Sequence, residues 1–301
     1  MVLAKWFFFL VVTMGTYQFI FIEFFFFLRN VRDICYKHTM ERTYNLVYSG
    51  YDARDHRIVC HILPLPPSVD LRSTCPSIYD QGSIGSCTAN ATAALFAYTL
   101  FRQQGLRFAP SRLFLYYNTR SLEHTTRTDN GATLRSTMSA LNKNGVCNES
   151  LWPYLSSLLY TTPSSNAYKE GVDYEATRYA SLPILLSQMK TALSQKLPFV
   201  MGIMVYSSFE SKSVSETGMV PIPVPKRETL LGGHAIMVVG YDDSKSAFLV
   251  RNSWGVYWGI QGYCWIPYAY LTNPQLAFDA WVLYNGSFPT QTKGYKIYSH
   301  S

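Results

Sequence analysis

A chain of 301 residues that is 48% hydrophobic and only 15% charged can bury a large core, which excludes an intrinsically disordered protein. Its net charge of +7 is spread without Lys/Arg blocks or a recognisable nucleic-acid module, so nucleic-acid binding is not expected. Six cysteines, Cys35, Cys60, Cys75, Cys87, Cys147 and Cys264, show neither disulfide-framework nor zinc-site spacing, and no metal or cofactor is expected.

The first element is apolar. Residues 6–28, WFFFLVVTMGTYQFIFIEFFFFL, are long enough at about 1.5 Å per residue to cross a bilayer core of about 30 Å. Glu23 lies near one end of this run. Residues 1–28 are therefore expected to form a single-pass membrane anchor. Arg29, Arg32, Lys37 and Arg42 follow it, which places the main domain on the cytoplasmic side. The alternative is a secretory signal peptide, with Lys5 as its charged start and residues 6–14 as its apolar core; it would make the protein secreted. Residues 29–62 are polar and lack helical periodicity, and read as a linker or short pro-region. The Pro-rich LPLPPSVD, 63–70, marks the start of a globular domain expected over 63–285, followed by a loose polar tail, 286–301.

Within that domain the first half is helical. A helix is expected over 87–102. Ser111 is a candidate N-cap for the next, 111–120, with Leu113, Leu115 and Tyr116 on its buried face. A third over 130–145 stops at Asn144-Gly145. A fourth over 182–196 has Pro183 in its first turn and Leu185, Met189 and Leu193 on one face. After residue 197 the pattern changes to short apolar or aromatic runs: PFVMGIMVY, HAIMVVGY, AFLVRNSW, GYCWIPYAY and FDAWVLYN. These read as strands of an antiparallel sheet or barrel. The expected class is α+β, with a helix-rich first lobe and a strand-rich second.

The chemistry is written in four places. YDQGSIGSCTANATAALFAY, 79–98, sets Cys87 at the seam between a glycine-rich turn and a helix. A helix N-terminus favours an anion, and with an imidazolium it can lower a thiol pKa from about 8.5 by several units. His234, in LLGGHAIMVVGYDD, follows a Gly-Gly turn at the start of a buried strand and is the candidate base. Asn252 comes next; its carbonyl oxygen can accept from one ring nitrogen, and Trp254 can shield that bond from water. Gln81, six residues before Cys87, can donate its amide to an oxyanion beside the Cys87 N–H.

In this order these residues resemble the papain-like cysteine peptidases. The resemblance rests on Gln81-Gly82, Gly85-Ser86-Cys87, His234, Asn252-Ser253-Trp254-Gly255 and Trp258-Gly259, and covers about residues 63–284. DQGSIGSCTANA, WPY (152–154) and GGHAIMVVGYDD are most similar to the bacterial and large-DNA-virus branch. The resemblance implies a two-lobe fold, peptide or protein substrates, and Gly131 as the glycine offering its backbone to an extended substrate. Two departures stand out: Ile84 replaces a cysteine that secreted plant and animal relatives place in a disulfide, and Thr88 replaces an aromatic. Two other functions compete with hydrolysis by a tethered peptidase. One is a catalytically silent binding scaffold on the same fold; the other is acyl transfer to an amine, as in a transpeptidase or ligase.

Overall fold

The computed structural model describes residues 42–60 and 64–287. The apolar segment 6–28 and most of the polar tail lie outside them; among the described residues no helix is long and apolar enough to cross a membrane.

Seven strands form one antiparallel sheet: β1 (Ser68–Asp70), β2 (Glu175–Ser181), β3 (Phe199–Tyr206), β4 (Leu230–Asp242), β5 (Ala247–Arg251), β6 (Tyr263–Pro267) and β7 (Ala277–Ser287). The order is β2-β7-β3-β4-β5-β6, and β1 pairs with β4. Strand β4 is the spine. It pairs with β3 through Ile203↔His234 and with β5 through Met237↔Arg251, and its residues from Gly233 to Tyr241 are buried. A strand buried on both faces reads as a continuous apolar run rather than an alternation, as IMVVGY does here.

The three longest helices lie in the first half, α1 (Cys87–Gln104), α2 (Arg112–Leu122) and α3 (Leu134–Asn144), and four shorter ones follow, α4 (Ser165–Gly171), α5 (Leu186–Ser194), α6 (Lys212–Thr217) and α7 (Tyr268–Leu271). Helix α1 is the central one: every residue from Cys87 to Leu100 is buried. Small Ala and Thr side chains let neighbours approach it on all sides, and it needs no polar face. It ends at Gly105, which adopts the left-handed conformation (φ 69°) and returns its N–H to Phe101 O. Ser111 caps α2 by accepting from Phe114 N, as its position predicts.

Several expectations need correction. Helix α5 begins at Leu186, so Pro183 precedes it; Met189 and Leu193 are buried, but Leu185 is exposed. The β7 strand runs on through Gly286 and Ser287, paired with Ala176 and Glu175, so the tail does not begin at 286. Residues Tyr268–Leu271 are a helical turn rather than strand. The folded domain also begins well before residue 63. Residues 43–60 lie along it as a strap: Asn45 bridges Gly233, and Arg57 bridges Ser181 at the edge strand β2.

Candidate active site

Cys87 is the first residue of α1, after a turn closed by Ser86 N→Ile84 O (2.7 Å). His234 sits on β4 and Asn252 just beyond β5. The β4–β5 hairpin register brings them together, and His234 Nε2 and Asn252 Oδ1 are 2.8 Å apart. Because the amide oxygen accepts, Nε2 carries the proton, and Nδ1 is the basic nitrogen of the neutral ring. Asn252 Oδ1 also accepts from Ser253 N (2.9 Å), which fixes the amide. The Trp254 ring lies 5.0 Å from the His234 ring, tilted by 32°, and is itself walled by Trp258 and Phe209. Trp254, expected from the sequence to shield the His–Asn bond, thus packs beside the His234 ring.

Gln81 arrives by strand-like pairing. Its N–H donates to Ser253 O (2.9 Å), while Asp80 bridges Trp254. Its side chain is buried: Oε1 accepts from Ser253 Oγ (2.6 Å) and Nε2 donates to Ile84 O (3.1 Å). Ser253 thereby sets which end of the amide faces the turn before Cys87. Sequence reasoning passed over Ser253, although it stands inside the quoted Asn-Ser-Trp motif. It also left Tyr154 of the WPY motif without a role. Tyr154 Oη lies 2.5 Å from Ser86 Oγ and donates to Gln81 O (3.0 Å), so it pins both ends of the turn. Arg112 packs over the Tyr154 ring at 3.9 Å and is held by Glu149 (2.6 Å).

The thiol is deeply buried. Burial pushes Cys87 up to about 11, and Asp129 adds to the rise; the N–H groups of Ala235, Thr88 and Cys87 itself oppose it. The residue is only 1% exposed. The strap lies against the residues around it. Tyr44 lies edge-on to both His234 and Trp254 (ring centroids 6.2 and 6.1 Å) and donates to Glu210. Leu46 N donates to Gly233 O (3.1 Å), and Asn45 Nδ2 to Asp129 O (3.2 Å). The approach is too close for side chains on the groove. A Cβ on Gly131 (φ 76°) would lie 1.9 Å from Asn45 O, and one on Gly233 2.4 Å from Leu46 O. So Gly131, the position expected to face an extended substrate, here lies against the chain's own strap.

Farther along, Arg135 of α3 clamps the strap. It donates to Ser49 O and Gly50 O and pairs with Asp55 (2.7 Å). Gln188 of α5 holds the far end, accepting from Cys60 N (2.7 Å) and donating to Cys60 O (3.2 Å). The five described cysteines are all buried and reduced, and among the described residues no group of His, Cys, Asp or Glu is arranged to hold a metal.

Comparison with known proteins identifies the family. Residues 65–275 match the papain family cysteine protease profile. An uncharacterized peptidase C1-like protein of Acanthamoeba polyphaga mimivirus is 38% identical over 213 residues, 68% of each chain. The cathepsin B-like CP2 of Giardia intestinalis is 30% identical over 215 residues, 66% of this chain and 68% of its own. Among solved structures, xylellain, a cysteine protease from Xylella fastidiosa, superposes with a TM-score of 0.76 at 38% identity, covering 81% of this chain and 96% of its own. The chain belongs to the papain family and is a cysteine-type peptidase.

Proposed function

We propose that Cys87 is the nucleophile, His234 the base, Asn252 its orienting partner and Gln81 an oxyanion donor, and that the strap keeps this site latent. The observation that carries the reading is the His234 Nε2–Asn252 Oδ1 bond in a protein whose Cys87 opens α1 beside the Ala235 N–H. With Nε2 committed to Asn252, Nδ1 takes the thiol proton and the sulfur attacks a peptide carbonyl. The oxyanion is met by Gln81 Nε2 and the Cys87 N–H. Collapse breaks the C–N bond, and the imidazolium gives its proton to the leaving amine. The neutral ring then deprotonates a water, which cleaves the thioester and returns the thiol.

The thiolate–imidazolium pair belongs to the open state. With the strap seated, the thiol has lost its hydration and stays protonated at neutral pH. An incoming peptide replaces the strap at Gly233 O and at Ala132 O, to which Val47 N donates (3.5 Å). Leu46 is buried against Gly202, so an apolar side chain of about leucine size suits that position of the substrate. Residues 42–60 thus act as the pro-region within the segment 29–62. Tethering to a membrane, with the domain on the cytoplasmic side, rests on the sequence of 6–28 alone.

The test is cleavage of a mixed peptide library by the full chain, by its Arg135→Ala variant and by Cys87→Ala, under reducing conditions. Cleavage stronger in Arg135→Ala and absent in Cys87→Ala supports the reading. Cleavage that survives Cys87→Ala overturns it. An added amine nucleophile, followed by product mass, separates hydrolysis from acyl transfer.

A further inference from the structure

The turn before Cys87 is held from a side the catalytic scheme does not use. Gly85 N donates to both carboxylate oxygens of Asp129, at 3.0 Å to Oδ2 and 3.2 Å to Oδ1. Tyr116 Oη, from α2, donates to the same Oδ1 at 2.6 Å. The main chain around Asp129 is fixed as well. Arg120, fully buried on α2, donates to Thr128 O (2.8 Å) and Thr126 O (3.3 Å), with its guanidinium 4.3 Å from the centre of the Tyr116 ring. Two residues after Asp129 comes Gly131, whose backbone meets the strap. The contact is tight: a Cβ on Gly85 would lie 3.1 Å from Asp129 Oδ1 and 3.4 Å from Gly131 N. All five described cysteines are reduced, so among the described residues no covalent bridge ties this loop to the turn.

We propose that Asp129 is a positioning residue, whose carboxylate fixes the Gly85–Cys87 turn against the loop that presents Gly131 to the substrate backbone. The proposal rests on the reading of Cys87 as nucleophile. A carboxylate accepting one backbone and one phenolic donor makes stronger and more directional bonds than a neutral acceptor would. The nucleophile and the substrate's backbone partner stand on two separate chain segments, and this is a tie between them. Reaction rates fall steeply when reacting groups are misplaced, by about 100-fold for 1 Å. An untethered turn would therefore lower turnover without unfolding the domain. The bonds are electrostatic, so the alignment is the same in reducing and oxidising surroundings.

The experiment uses the full chain carrying Arg135→Ala, so that the site is open, with active sites counted by an irreversible thiol titrant. Asp129→Ala is expected to lower kcat per titrated site about 30-fold and to raise KM, from the same misplacement argument. Asp129→Asn, which keeps one acceptor, is expected to recover to within about fivefold of the parent, and Tyr116→Phe to lose about threefold. In parallel, hydrogen exchange of the Gly85 amide is followed by NMR. It is expected to be at least about tenfold faster in Asp129→Ala, while amides within Cys87–Gln104 keep their protection. A purely structural residue would lower the titrated fraction and the melting temperature but leave kcat per site unchanged. That result, or an unchanged Gly85 amide, overturns the proposal. If Asp129→Ala does not fold, Asp129→Asn and Tyr116→Phe decide it, and parental values in both overturn it. Absence of any Cys87-dependent cleavage in the parent would overturn the peptidase assignment instead, and the Gly85 exchange would still decide the tether.

Discussion

Arg135→Ala should unlatch the strap. The guanidinium joins two main-chain carbonyls, Ser49 O and Gly50 O, to the Asp55 carboxylate; the Arg135 and Asp55 side chains are 24% and 15% exposed. Charge-assisted hydrogen bonds of this kind contribute about 1.5–3 kcal/mol each when fully buried. Here all three partners regain water when the strap lifts, and the pair is partly solvated even when seated, so most of that gross value is cancelled. A net contribution of about 2 kcal/mol remains, and about 1.4 kcal/mol corresponds to a tenfold change in population. The open fraction should then rise about 30-fold. Iodoacetamide at neutral pH reads this directly, because alkylation of a buried thiol scales with the population of the open form. Quantifying Cys87 modification by mass spectrometry in the full chain, with Cys147 and Cys264 as buried references, separates local from global opening. An unchanged Cys87 rate would refute the latch, and so would a Cys87 rate that rises only in step with Cys264.

Three further outcomes are expected. Gln81→Ala, in an opened chain, should lower kcat about 100-fold with little change in KM, read by steady-state peptide hydrolysis. Asn252→Ala removes the acceptor at His234 Nε2 and releases the ring; kcat should fall at least about tenfold and the alkaline limb of the pH–rate profile should shift. Stability should decline at alkaline pH. Burial raises Cys87 and Cys75 to about 11 and Cys147 to about 12, well above the about 8.5 of an ordinary thiol. A raised folded-state pKa gives stability that is complete below the unfolded value and is lost as pH rises through the folded one. Melting temperatures should therefore hold to about pH 9 and fall between about 9 and 12; a flat profile there would contradict the burial of these thiols.

What was legible in the sequence was what local pattern encodes. Cys87 at a glycine-rich helix start, His234 after Gly-Gly and Asn252 before Trp254 each announce a backbone geometry within a few residues. The meeting of His234 with Asn252 follows once β4 and β5 pair. The strap was not legible in this way. Tyr44, Asn45 and Leu46 carry no periodicity, and their partners Gly233, Trp254 and Gly202 are far away in the chain. Strand β2, EATRYAS, was missed because it is an edge strand with charged residues and little alternation. The burial that raises Cys87 was likewise not legible at its helix end, because it comes from packing of chain segments far away in sequence, Ala235 and Asp129 among them. Nothing in the sequence around Asp129 shows that its carboxylate meets Gly85.

The strap also reaches the edge of the sheet. At its far end Ile58 N donates to Ser181 O (3.0 Å) and Ser181 N to His56 O (2.8 Å), closing one end of the outermost strand, β2. Lifting the strap from the catalytic groove as far as this point would bare hydrogen-bonding groups on a sheet margin, a surface that recruits strands from other molecules. Switching on would then also make the protein adhesive to itself. The working form would be best kept dilute, or soon be given another chain to hold at that edge.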